Sequence, residues 1–190
     1  MLHRLTPAVL RRTVFPLHNM EKSEVREKAA DFGLPIPPDS QDLCFIPNGG
    51  YAAYLGIPPK AGEPVDAAGQ VLGRHEGIHR FTIGQKHGIN GQKLYVSSID
   101  AASGRVTLTE EALLYRPDIF VKEVNWITPA GETDCEVRLR HTPRLSKAHV
   151  VPLEGHRAHI VFEEPQRAPA PGQSAVFYGG EVVFGGGFIE

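Results

Sequence analysis

From residue 71 to residue 184 the chain is a succession of short apolar, β-like runs cut apart by glycine-rich turns, and this pattern constrains its fold more than any other feature. Runs at 71–72, 81–83, 94–99 and 105–109 come first, with a turn over 100–104 making the last two a hairpin. A link over 110–116 leads to a second series at 119–127, 135–141, 149–153 and 158–163. The runs 175–178 and 182–184 then close it, joined by the tight Gly179-Gly180 turn. The first series predicts a small β-rich module and the second a barrel or sandwich. The proline-rich stretch PQRAPAPG, residues 165–172, is predicted to be an ordered barrel loop because strands lie on both sides of it.

Two short helices precede the strands. Thr6 and Pro7 supply a cap and a first-turn proline, with Val9 and Leu10 as the apolar side. Val25, Ala29 and Phe32 recur at helical spacing over residues 22–32, and Gly33 with Pro35 beyond it supplies the stop. The fold class is therefore α+β, mainly β: a short N-terminal helical segment, a small central β-rich domain and a C-terminal β-barrel. Two helices of this size cannot close a core alone, so part of their apolar surface is expected to stay uncovered.

A hydrophobic content of 41% and a charged content of 22% are those of an ordinary globular protein. No apolar run reaches the length of a membrane span and no signal-peptide pattern opens the chain, so no membrane partner and a cytoplasmic location are expected. Two cysteines, Cys44 and Cys135, make no disulfide framework, in keeping with a reducing compartment. With a net charge of −2 the chain lacks a global basic footprint, and any nucleic acid must be held by local patches.

Four places could carry chemistry. Cys44 follows polar Ser40, Gln41 and Asp42 and precedes the breakers Pro47, Asn48, Gly49 and Gly50, which puts the thiol at the mouth of a loop, where a side chain can meet a large substrate. Against this, free cysteines are commonly buried as small hydrophobes, and Asp42 would raise a nearby thiol pKa. In CEVRLR, alternation sets Cys135, Val137 and Leu139 on a buried face and Glu136, Arg138 and Arg140 on the other. Between residues 135 and 160, Arg138, Arg140, Arg144, Lys147 and Arg157 face only Glu136 and Glu154, with four histidines alongside; this is a basic stripe or a solvated strand face. The turn GQKHG, residues 84–88, suits approach to a phosphate by backbone N–H groups and Lys86, or is a solvated turn. Lastly, His75, Glu76 and His79 spell the H-E-x-x-H of zinc hydrolases, but that chemistry needs a helix to bring both imidazoles to one metal. Gly73 and Gly77 and the β-like run at 81–83 argue against one.

Three blocks in order, SQDLCFIP, GRHEGIHRFTIGQKHGI and PGQSAVFYGGEVVFGGGFI, resemble the tRNA-specific 2-thiouridylases, which put sulfur on the wobble uridine of certain tRNAs. The resemblance covers nearly the whole chain. It implies that Cys44 carries a persulfide, loaded by a sulfur-donor protein such as a desulfurase or sulfur relay, that attacks uridine C2 after ATP, with magnesium, has adenylated the C2 oxygen. It implies tRNA contacts at Arg140, at His141, where the family has tyrosine, and at Gln173; Arg138 and Lys86 join them as basic neighbours. It also reads the H-E-x-x-H block as a loop and strand of a central domain close to tRNA.

Members of that family begin with a nucleotide-binding domain that has an S-G-G-x-D-S loop and an earlier catalytic cysteine, neither of which occurs in this sequence. The chain is thus expected to be a C-terminal half, with residues 1–47 as the tail of the missing nucleotide-binding domain ending in the Cys44 loop. Residues 48–114 are then a central tRNA-binding domain and residues 115–190 the barrel. Such a chain would hold no cofactor of its own and would be inactive alone. A non-catalytic RNA-binding β-barrel module is the main alternative, and a zinc hydrolase a remote one.

Overall fold

The computed structural model describes residues 2–36, 56, 60–89, 91–140 and 144–190; Cys44 and His141 lie outside the described residues. The chain divides into two compact units, one of residues 11–58 and the other of residues 1–10 with 59–190.

In the first unit, helix α2 spans Lys22–Asp31. It starts with a capping box, in which the Glu24 carboxylate accepts the Glu21 N–H at 2.7 Å, so two otherwise orphaned donors are satisfied reciprocally. It ends at Phe32, whose N–H bonds to the Lys28 carbonyl, followed by Gly33 at φ +66°, a left-handed conformation that glycine adopts without cost. No residue of this helix is buried, and Phe32 and Val14 are each 80% exposed.

The larger unit opens with a 3-10 turn at Leu2–Arg4 and the single helical turn α1, Pro7–Leu10, capped by the Thr6 hydroxyl. Its first sheet has four strands: β1 (Pro64–Val65), β2 (Lys86–Ile89), β3 (Gln92–Asp100) and β4 (Arg105–Thr109). They lie in the order β1-β4-β3-β2, with β1 parallel to β4 and the other pairs antiparallel. Val96, Val106 and Leu108 form its buried centre, packed by Ile78, Phe81 and Ile83 among others. The expected strand at 81–83 does not form. A 3-10 turn at Ile78–Arg80 precedes it, and a turn bonded from Gln85 N–H to the Thr82 carbonyl follows, so these residues pack as a loop over the sheet.

A 3-10 turn at Glu111–Leu114 leads into the second sheet. Its strands are β5 (Tyr115–Trp126), β6 (Thr133–Arg138), β7 (Ser146–Leu153), β8 (Arg157–Arg167), β9 (Ser174–Gly179) and β10 (Val182–Ile189). They close as β10-β5-β8-β7-β6-β9, a barrel, which removes the exposed edges an open sheet would leave. Inward alternation puts Val121, Val137, Val150, Ile160 and Phe177 at the centre, each 1% exposed or less. The PQRAPAPG stretch is ordered, but its first three residues belong to β8. The β5–β8 register jumps from Arg116↔Gln166 to Asp118↔Val161, and Pro165 sits in that bulge, where its missing N–H costs no ladder bond.

The N-terminal turn is bound to this barrel. Asn125 on β5 donates its amide to the carbonyls of His3 (2.7 Å) and Leu5 (3.0 Å), and His3 is 3% exposed against β10. Its pKa is lowered, first by burial, which keeps the ring neutral. Only glycine fits beneath it: a Cβ on Gly186 would lie 2.6 Å from the Ala175 carbonyl oxygen and 2.9 Å from the His3 ring.

Candidate nucleic-acid interface

Strand β6 sets the site. Val137 faces inward opposite Phe177, while Arg138 projects outward. Cys135 and Leu139 are partly buried against the barrel core, as the alternation predicts. Burial, then the neighbouring Asp134 carboxylate, pushes the Cys135 thiol up to about 11, so it is almost wholly protonated at neutral pH.

Arg138, Arg140 and Gln173 come together. They line one hollow of about 470 Å³ with Leu139, Ser174, Val176 and Tyr178, although Gln173 is more than thirty positions from the strand residues. Tyr178 is the member the sequence did not single out: it lies on β9, diagonal to Arg138, whose guanidinium carbon is 5.3 Å from the ring centroid. Gln173 is fixed by its backbone, which accepts from Ile189 and donates to Ala170, so the PGQ turn is anchored to the end of β10. Arg140 donates to the Ala168 carbonyl at 2.7 Å and also borders a second hollow of about 270 Å³ with Tyr115, Arg144 and Arg167.

The basic stripe is shorter in the structure than in the sequence. Arg144 pairs with Glu164 at 2.7 Å and Arg157 forms two bonds of 2.7 Å to Glu190, both carboxylates from outside the window counted along the chain. His149 lies between Asp134 (2.7 Å) and Glu132 (2.8 Å), and His159 bonds Asp118 at 2.7 Å. Of the five cations in the stripe, Arg138, Arg140 and Lys147 pair with no carboxylate among the described residues, and the first two share the hollow with Gln173.

The GQKHG turn is corrected in part. Gly84 N–H bonds to the Val96 carbonyl at 2.7 Å and Gln85 N–H to Thr82 at 2.9 Å, so these amides are already engaged and do not cradle a phosphate. Residues 86–88 belong to the edge strand β2, where exposed Lys86 lies opposite Tyr95 on the same face.

His75, Glu76 and His79 do not share an α-helix. His75 bridges Gly62, its Nε2 donates to the Gly104 carbonyl at 3.0 Å, and its ring packs 4.9 Å from Phe81. Glu76 is paired with Arg80, and His79 sits in the 3-10 turn. Among the described residues, no group of three or more His, Cys, Asp or Glu is arranged to hold a metal ion.

The two sheets match known modules. Residues 54–110 match the tRNA methyl transferase PRC-barrel domain, residues 116–189 the aminomethyltransferase beta-barrel domain, and residues 1–48 the tRNA methyl transferase HUP domain. Over its whole length the chain is 39% identical to the tRNA-specific 2-thiouridylase MnmA of Nostoc punctiforme and 41% identical to that of Solibacter usitatus; over 99% of its length it is 46% identical to that of Acidobacterium capsulatum. It belongs to the tRNA-specific 2-thiouridylase family. The chain spans 57%, 56% and 56% of the Nostoc, Acidobacterium and Solibacter proteins, a little over half of each. No helix among the described residues is long and apolar enough to cross a membrane.

Proposed function

We propose that this chain is the tRNA-binding and sulfur-carrying portion of a tRNA 2-thiouridylase. On this reading the barrel hollow holds tRNA through Arg138, Arg140 and Gln173, His141 and Lys86 extend that surface, and Cys44 carries the sulfur to be transferred. The observation that supports it most is the convergence of Arg138, Arg140 and Gln173 on one hollow.

The chemistry asks little more of these residues. Guanidinium groups neutralise phosphates and fix the register of the RNA, while an amide and an aromatic ring can meet an unpaired base. A persulfide on Cys44 is a strong nucleophile: its terminal sulfur would bond to uridine C2 as the C2 oxygen, activated beforehand by adenylation, leaves with AMP, and a second thiol would then attack the Cys44 sulfur, leaving the transferred sulfur on C2 and a disulfide on the protein. Alone, this chain neither binds ATP tightly nor thiolates tRNA; the sulfur arrives from a desulfurase or relay protein.

Two measurements test the reading. After incubation with a cysteine desulfurase and cysteine, the parent chain should release about one sulfide per chain on reduction, and Cys44→Ser should release none. Fluorescence anisotropy with a whole tRNA should show weak, salt-sensitive binding. Binding without any sulfur on Cys44 would favour a non-catalytic RNA-binding module instead.

A further inference from the structure

The central sheet and the barrel meet at a junction built on one arginine. Arg167, the last residue of β8, reaches out of the barrel and donates Nη2 to the Gly84 carbonyl at 3.2 Å and Nε to the Glu111 carboxylate at 3.0 Å. Its guanidinium also lies over the Tyr95 ring of β3, 5.3 Å from the centroid. One planar group thus engages the turn before β2, the linker between the sheets and the face of the central sheet.

The surrounding backbone is shaped to this contact. Ala168 takes φ +50°, donates to the Leu114 carbonyl at 2.8 Å and accepts from Arg140 at 2.7 Å, so Arg140 of the RNA-binding hollow buttresses the same turn. Gly84, at φ +84°, approaches so closely that a Cβ there would lie 2.8 Å from the Ala168 Cβ and 3.3 Å from Arg167 Nη1. A left-handed non-glycine residue facing a glycine with no room for a methyl group is a costly arrangement for a loose hinge.

We propose that Arg167 is a positioning residue that locks the central sheet onto the barrel, so that the Lys86 edge and the Arg138–Arg140–Gln173 hollow form one continuous RNA-binding face. This rests on the reading of that face as tRNA-binding. Arg167 itself need not touch RNA, since its guanidinium is already committed to the carbonyl, the carboxylate and the ring. A face spanning two modules binds more tightly when the modules are fixed beforehand, because no ordering cost remains to be met on association.

Three variants of the full chain separate positioning from direct contact. Arg167→Lys keeps the charge but cannot serve a carbonyl, a carboxylate and an aromatic face together. Gly84→Ala changes no charge and disturbs the junction from the opposite side. Arg167→Ala removes the group. All three should weaken whole-tRNA binding about tenfold in anisotropy, with salt dependence parallel to the parent in Gly84→Ala and Arg167→Lys. In each variant the Ala168 amide, which donates to the Leu114 carbonyl at the junction, should exchange faster with solvent deuterium, while barrel-core amides of β8 stay protected. Parent-like binding in Arg167→Lys with loss only in Arg167→Ala would make Arg167 a phosphate contact and overturn the proposal, as would unaltered exchange at Ala168 in all three. A parent chain that binds no tRNA overturns the functional reading itself, and is seen before any variant is made.

Discussion

The guanidinium of Arg138 lies over the ring of Tyr178, 5.3 Å from its centroid, across the diagonal of the β6–β9 pair. Both side chains line the hollow that also contains Arg140 and Gln173. Tyr178→Leu should keep the barrel folded but weaken tRNA binding several-fold, and Tyr178→Phe should bind like the parent, because a cation–π contact of about 0.5–1 kcal/mol at an exposed site needs the ring and not the hydroxyl. Equal loss in both variants would point to the hydroxyl.

The hollow makes its contributions separable by salt. Each phosphate contact adds a little under one unit to the slope of log K against log salt, and the slope for this chain should be shallow, roughly two to four units. Arg140→Ala should lower it by about one unit, while Gln173→Ala should reduce affinity at constant slope because an amide releases no counterion. Arg157→Ala is the control, since its guanidinium is bound to Glu190 through two bonds. Arg140→Ala binding like the parent at every salt concentration would place the RNA surface elsewhere.

Thiol reactivity should divide the two cysteines. Burial and Asp134 hold Cys135 at about 11, so little thiolate exists at pH 7.5. Cys44 should alkylate first with iodoacetamide in the folded chain and both should react alike in denaturant, as read by mass mapping. Faster labelling of Cys135 in the native state contradicts its assignment to the core.

His149 couples barrel stability to pH. Hydrogen bonds that its ring donates to Asp134, then to Glu132, raise its pKa above the ordinary histidine value. A raised folded-state pKa gives stabilisation that is fully present below the unfolded pKa of about 6.5 and lost as pH rises through the folded value. Urea midpoints should therefore fall across that interval by a small amount, since the group is exposed, and His149→Gln should remove the dependence. An identical pH profile in the variant would rule His149 out as its source.

Packing at Gly186 is testable by one methyl group. Gly186→Ala should destabilise by about 1–3 kcal/mol, because the new Cβ has only the Ala175 carbonyl and the His3 ring to meet. Thermal melting measures it, and truncation of the first five residues should relieve part of the penalty by removing His3.

The order of elements and the inward and outward faces of the second sheet, with Cys135 on the side packed against the core, were legible in the sequence because they depend on local periodicity. A period of two fixes which side chains of β6 point outward, whatever that strand pairs with. Strand limits were less legible. The run at 81–83 has β-like residues but packs as a loop, since the 3-10 turn before it and the Thr82–Gln85 turn after it leave no extended partner. Two-residue β1 has no periodicity to read at all.

What only the tertiary structure decided is which charges meet. Along the chain Arg144 and Arg157 belong to a basic stripe, yet strand pairing brings Glu164 and the C-terminal Glu190 to them and not to Arg138 and Arg140. The same closure sets Tyr178 beside Arg138, and the packing of the central sheet on the barrel sets Arg167 on Gly84, contacts over 40 and 83 positions of chain. The physical reason is range: propensity and alternation act within a few residues, whereas electrostatic pairing and aromatic contact act through space and exist only once barrel closure has fixed the register.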